Sequence, residues 1–281
     1  MSKRRTKQSK YVLVSTIIFV SMIIGSWVYL IINNDDLFDV FNQRNMKFLE
    51  SFIQKMFGKG AKQIAYTDLQ RWKEVLLLCY DTVAMSVLAT GLASIGTLIT
   101  VIPASSNFAD GKLTVKKTWY GKCIFYIIRF MYIVTRSIPE LVWGMIFIFF
   151  IRAGILPGSL ALALHNFGIL GRLCAEVIED INIKPIQSLG RCGANAAQIL
   201  MYGVIPSCME KFLYYMLYRF EVIVRSTIVV GAVGAGGLGL YFKLKMSALD
   251  YTGVTLVIIC YLLVVYLTDI TSVKLRNLIG S

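Results

Sequence analysis

Histidine is nearly absent from this chain: His165 is the only one in 281 residues. The six cysteines, Cys79, Cys123, Cys174, Cys192, Cys208 and Cys260, form no C-x-x-C pair and no metal spacing. A zinc site or a disulfide framework is therefore excluded as the organising feature, and the cysteines read as small apolar packing residues. Charge is scarce as well. Asp, Glu, Lys and Arg make up 16% of the chain, where an ordinary soluble domain carries about a quarter. The acidic residues are outnumbered 16 to 29, for a net charge of +13. These positive residues cluster at the ends of apolar runs, which points to membrane topology, anionic lipid headgroups and an anionic substrate, and away from nucleic acid. No GxxxxGK[ST] is present, so the chain should not hydrolyse ATP itself. A glycine run, Gly231 to Gly239, looks superficially like a dinucleotide loop, but an apolar helix precedes it where that motif requires a strand.

Long apolar runs dominate the sequence. It is 57% hydrophobic with mean hydropathy +0.66, and several runs reach the roughly 20 residues that span hydrocarbon. The fold class that follows is an all-α polytopic membrane protein with about six transmembrane helices. Residues 1–32 form a basic N-terminus (Lys3, Arg4, Arg5, Lys7, Lys10) and a first span, Tyr11–Ile32. That run is too long for a signal peptide and lacks a small-x-small cleavage site, so it is expected to be retained, with its N-terminus cytoplasmic. Residues 33–74 form an extracytoplasmic loop. In it Met46, Leu49, Phe52, Ile53, Met56 and Phe57 make an apolar stripe at helical spacing, the pattern of an amphipathic surface helix.

Residues 75–281 form the main transmembrane region. A second span, 75–102, is rich in small residues that favour close helix contact and stops at Pro103. Lys112, Lys116, Lys117 and Lys122 follow, a cytoplasmic density of positive charge. Residues 121–153 are expected to cross once, with 121–135 as a lead-in or interfacial helix and 137–153 as the spanning part. Pro139 then falls in a first helical turn, where its missing N–H costs least. Further spans are expected at 155–180, 208–230 and 253–272.

Between the spans 155–180 and 208–230 lies the polar stretch Glu176–Pro206. Its apolar positions Leu189, Ala194, Ala197 and Leu200 recur at helical spacing, Gly190 and Gly193 interrupt it, and Pro206 closes it. A small helical hairpin on the membrane face, loop 181–206, suits docking better than catalysis, so no catalytic or metal residue is assigned. Within the spans, ionisable side chains are costly and mark function by default. Arg219, Glu221 and Arg225 fall in one span, with Glu221 and Arg225 at the i, i+4 spacing of a pair. Arg136 and Glu140 have the same spacing around Pro139. His165 is expected to be a hydrogen-bonded packing residue, and Glu176 and Glu179, at the end of their span, to anchor the hairpin or meet a partner subunit. Gly234, Gly236 and Gly237 provide either close backbone packing or a gate.

The hairpin resembles the cytoplasmic "EAA" loop (EAA-x3-G-x9-I-x-L-P) of permease subunits of binding-protein-dependent ABC importers. Gln187-Ser188-Leu189 stands at the EAA position, Gly193 at the glycine, Gly203 and Ile205 at the two apolar positions, and Pro206 at the proline. The stretches RSIPELVWGMIF (136–147), LALALHNFGILGRLCAEVIEDI (160–181) and YRFEVIVRSTIVVGAVGAGGLG (218–239) resemble those of phosphonate permeases. The resemblance implies a type I ABC importer permease core with one extra N-terminal helix, in a bacterial inner or plasma membrane. It implies a homodimer, two ATPase subunits that bind ATP and Mg and grip the hairpin through Gln187, Ser188, Leu189, Gly190, Gly193, Ala194 and Pro206, and an extracytoplasmic binding protein. The cargo it implies is a phosphonate, phosphite or phosphate anion. A competing reading is an ion-coupled secondary transporter that uses Arg219, Glu221, His165 and Asp269. Against it, such transporters commonly contain paired repeats, and the sequence shows none.

Overall fold

A computed structural model describes residues 2–33, 42–60, 63–111, 113 and 119–279. The lysines at 112, 116 and 117 and the side chains of residues 2–10 lie outside that description. Every element among the described residues is helical. The chain divides into two compact units, Met1–Gly60 and Ala61–Ser281.

The first unit holds α1 (Ser2–Asn33) and α2 (Gln43–Met56). The 23 residues Tyr11–Asn33 have a mean hydropathy of 2.1, and all of them are exposed. Continuous apolarity around the whole helix is what lipid requires, because no face needs protein cover. On α2, Met46, Leu49 and Ile53 form the expected stripe, and no residue of this helix is buried.

The second unit is built around α7 (Ile155–Glu179), which packs against α3 (Leu69–Thr100), α5 (Trp119–Ser137), α6 (Glu140–Ile151) and α10 (Ile205–Val230). Its buried side includes Gly158, Ala161, Ala163, Gly168, Gly171 and Ala175, small residues that admit neighbouring helices closely. At Gly171 any side chain would strike the Tyr132 ring of α5. Tyr132 is 1% exposed there, and its hydroxyl lies 2.7 Å from Thr100 Oγ1 on α3. The remaining α-helices are the short α4 (Ser106–Ala109), α8 (Ile183–Arg191), α9 (Ala196–Gln198), α11 (Gly237–Ser247) and α12 (Tyr251–Ile279).

Polar contacts define two faces of this unit. On the hairpin face, Glu179 at the end of α7 accepts hydrogen bonds from Ser106 N (2.7 Å) and from Arg129 of α5. Asn107 Nδ2 donates to the Ile178 and Glu179 carbonyls at 2.9 and 3.0 Å. On the opposite face, Asp250 meets Arg71 of α3 and Lys245 of α11, each at 3.3 Å. Between these faces run α3, α7 and α12, together with two broken passes. Among the described residues, candidate spans number four, or up to six when each bent pair is taken as one.

The first broken pass corrects the expectation for 121–153. The chain bends by 93° between α5 and α6, and the 12 residues of α6 cover only about 18 Å. Residues 137–153 therefore do not span alone. The Arg129–Glu179 and Glu140–His165 contacts show α5 and α6 dividing the length of α7 between them. The second break, of 61°, separates Ala196–Ala235 from α11. There Gly234, Gly236 and Gly237 adopt φ of 120°, 91° and 62°, left-handed values that favour glycine. Immediately after them, Leu238 N donates to Thr82 Oγ1 of α3 at 3.0 Å.

Candidate functional site: a capped hairpin and a buried charge junction

The hairpin is held by its own caps. Asn182 Oδ1 accepts from Lys184 N at 3.2 Å to start α8. Gly193 ends it with φ 89°. Gly193 N bonds the Gly190 carbonyl at 3.1 Å and Ala194 N bonds the Leu189 carbonyl at 3.2 Å, the paired bonds of a Schellman stop. Asn195 and Gln198 then form a reciprocal capping box that starts α9. The helix continues through a π-helical stretch, Ile199–Val204, into α10, with Pro206 in the first turn of α10. Ile186 is 4% exposed and joins the core with Ile199 and Val204, whereas Gln187, Ser188, Leu189, Gly193 and Pro206 are exposed, and Gly190 and Ala194 half-buried. The result is an exposed face on an anchored base.

The two largest departures from the EAA pattern face one another. Leu189 stands where the pattern has a small residue, and Gly203 where it has a large apolar one. A Cβ on Gly203 would lie 3.1 Å from Leu189 Cδ1 and 3.8 Å from Ile186. The larger residue of this contact stands on α8 and the smaller at Gly203, the reverse of the sizes in the pattern.

About fourteen residues back along α7, roughly 20 Å, lies a junction of α6, α7 and α10. His165 Nδ1 lies 2.9 Å from the Ile138 carbonyl, so that nitrogen must carry the proton. His165 Nε2 faces Glu140 Oε2 at 3.5 Å. The neighbouring Asn166, 1% exposed, accepts from Arg219 Nε at 2.8 Å and Nη2 at 2.5 Å, and donates to the Leu162 carbonyl at 2.7 Å. At the α5–α6 break, Trp143 Nε1 donates to the Thr135 carbonyl at 3.2 Å. His165 and Trp143 thus satisfy carbonyls that the break frees, a requirement within a membrane.

The expected i, i+4 pairs do not form. Glu221 accepts from Arg276 of α12 at 2.6 Å, and Arg225 donates through Nη2 to both carboxylate oxygens of Asp269 of α12, each at 2.9 Å. The α10–α12 packing outcompetes the local spacing because it buries Glu221 to 8% exposure. No ion pair joins Arg136 to Glu140: the 93° bend carries Glu140 toward His165, and Arg136 stays exposed with Pro139. Glu176 pairs with Arg172 on its own helix at 2.5 Å. Of the two carboxylates expected to anchor the hairpin, Glu179 is the one bonded across to α4 and α5.

Among the described residues, no group of three His, Cys, Asp or Glu side chains could hold a metal. Asn166, Arg276 and Arg129 were not singled out in the sequence. Arg129 carried a signal, as a charge within an apolar run, while Asn166 lacked one.

Residues 113–275 match the family described as binding-protein-dependent transport system inner membrane component. The chain is 34% identical over 212 residues to a phosphite transport system permease protein of Stutzerimonas stutzeri, covering 75% of this chain and 72% of that protein. It is 37% identical over 118 residues to a putative cryptic phosphonate transport system permease protein of Escherichia coli (strain K12), covering 42% of this chain and 97% of that one. Its fold is similar to a chain of the MetNI methionine ABC transporter, with TM-score 0.63, 17% identity, and 73% and 95% of the two chains covered. The architecture and these likenesses together place the chain in the binding-protein-dependent ABC importer family, as a multi-pass permease subunit and not an enzyme.

Proposed function

We propose that this permease carries a small phosphorus oxyanion, phosphite or a phosphonate, with phosphate as the third member of the class. The observation that carries the reading is Arg219. Of the arginines in α7, α10 and α12, Arg172, Arg225 and Arg276 are each neutralised in contact by a carboxylate. Arg219 alone is held by a neutral amide, and Glu140 acts on it only across space. It is the cation left available to an anion inside the bundle, and a guanidinium suits two oxygens of a phosphonyl group. The likeness to phosphite and phosphonate permeases supports the same substrate class.

In this reading two copies of the chain form the path, and the N-terminus is cytoplasmic behind its basic residues. Two ATPase subunits, which bind ATP and Mg, grip the exposed hairpin faces, and an extracytoplasmic binding protein delivers the anion. Movement of the hairpin passes to α7 through Glu179, Arg129 and Asn107. The straight helix carries it to His165 and Asn166, where α6 and α10 are attached, a rigid-body route between two access states. An ATPase-linked path, not an ion-coupled one, is favoured by the capped hairpin: a secondary transporter has no use for it.

The test is co-purification with the ATPase and binding protein, followed by ATPase assays with phosphite, methylphosphonate, phosphate and sulfate. Stimulation by at least one phosphorus oxyanion and not by sulfate is expected. Stimulation by sulfate alone, or by none of the four, would overturn the substrate class.

A further inference from the structure

We infer that Asn166 is a positioning residue for Arg219, and that its neutrality is what keeps the site receptive to an anion. The inference rests on the reading of Arg219 as the cation that meets the substrate. Asn166 is buried in α7, and its own amide is fixed by the Leu162 carbonyl at 2.7 Å. That bond settles which end of the amide is which: the NH2 group faces its own helix, and Oδ1 faces α10. Oδ1 then receives both Nε and Nη2 of Arg219, at 2.8 and 2.5 Å.

Two consequences follow from this geometry. One edge of the guanidinium is used for orientation, and the Nη1 side remains without a protein partner among the described residues. The orienting oxygen carries only a dipole, so the full positive charge is retained. An aspartate at 166 would offer the same oxygen position and a better bond to arginine, yet it would neutralise the charge inside a low-dielectric bundle. Every other arginine in α7, α10 and α12 has that neutralised arrangement. An amide is required at 166 where a carboxylate would serve a purely structural contact better. Beside it, Glu140 of α6 lies 3.5 Å from His165 Nε2.

The structural and positioning roles make opposite rankings of two variants. The experiment uses the complete transporter, permease with its ATPase and binding protein, in proteoliposomes with phosphite as the probe. Asn166→Asp is expected to raise the melting temperature of the purified complex relative to Asn166→Ala, because it forms an ion pair. It is nonetheless expected to transport worse, by about tenfold or more against the native complex. Asn166→Ala, which frees the guanidinium without neutralising it, is expected to lose less, about threefold, mainly as a higher KM. Asn166→Asp transporting as well as the native complex, or better than Asn166→Ala, would overturn the inference. Arg219→Ala separates the two claims: normal uptake in that variant removes Arg219 from the path altogether. Lost uptake there with normal uptake in Asn166→Asp refutes only the role given to Asn166.

Discussion

Arg219 and Arg225 stand six residues apart on α10 and have opposite electrostatic surroundings. Arg225 is closed by both oxygens of Asp269, while Arg219 rests on an amide. Arg219→Ala is therefore expected to lower uptake by about tenfold or more, consistent with loss of a charge-assisted contact. Arg225→Ala is expected to act through packing against α12, and exchanging the pair as Arg225→Asp with Asp269→Arg should recover most of its loss. Initial rates of phosphite uptake distinguish the two. The Glu221–Arg276 bond is more deeply buried, at 10% and 16% side-chain exposure. Glu221→Gln would leave a buried cation unpaired and is expected to cost about 3 kcal/mol. The double change Glu221→Gln with Arg276→Met should return much of that stability in a thermal unfolding assay.

At the scale of elements, the hairpin depends on one backbone conformation. Gly193 holds φ 89° with open space around its α-carbon, so a side chain there strains the backbone without a clash. Gly193→Val is expected to cost about 1–3 kcal/mol locally, to disturb the α8 stop, and to leave the bundle inserted. The exchange of sizes at Leu189 and Gly203 has its own test. Gly203→Ile alone should impair binding of the ATPase, and adding Leu189→Ala should restore it, as co-purification yield would show.

The Asp250 cluster offers a pH test at the opposite face. Burial alone would raise the Asp250 carboxyl, but hydrogen bonds from Gly253 N–H, Lys245 and Thr252, with the Lys245 charge, hold it below the usual carboxylate range. A depressed folded value contributes stability above the unfolded value of about 3.9 and loses it as pH falls through the folded one. The melting temperature lost in Asp250→Asn should therefore be constant from about pH 8 to 5 and shrink only below about pH 4.

How far the elements were legible depended on the kind of signal. Apolar length gave α1, α3, α7 and α12 because hydrocarbon imposes one thickness on every span. The glycine and proline punctuation marked the hairpin and the break at Gly234–Gly237. The partner of each charge was not legible. Glu221 and Arg225 satisfied the local spacing rule, and the packing of α10 on α12 overrode it. Asn166 gave no signal because an asparagine among Leu and Ala does not show what it will face.

For the molecule as a whole, the hairpin and the charge junction are two stations on one helix. Glu179 fixes the end of α7 to α4 and α5, and His165 and Asn166 fix its middle to α6 and α10. In the proposed cycle a movement imposed at the hairpin reaches the junction along this helix, and the two sites should then fail in different ways when each is altered. The most direct measurement is the number of phosphite or phosphonate molecules imported per ATP hydrolysed, in proteoliposomes holding the permease, its ATPase and the binding protein. The native complex should give a fixed ratio. Gly193→Val should keep hydrolysis and lose import, and Arg219→Ala should lose import while ATP turnover still responds to the loaded binding protein. An unchanged ratio in both variants would contradict the account, since neither hairpin nor arginine would then belong to the transport path.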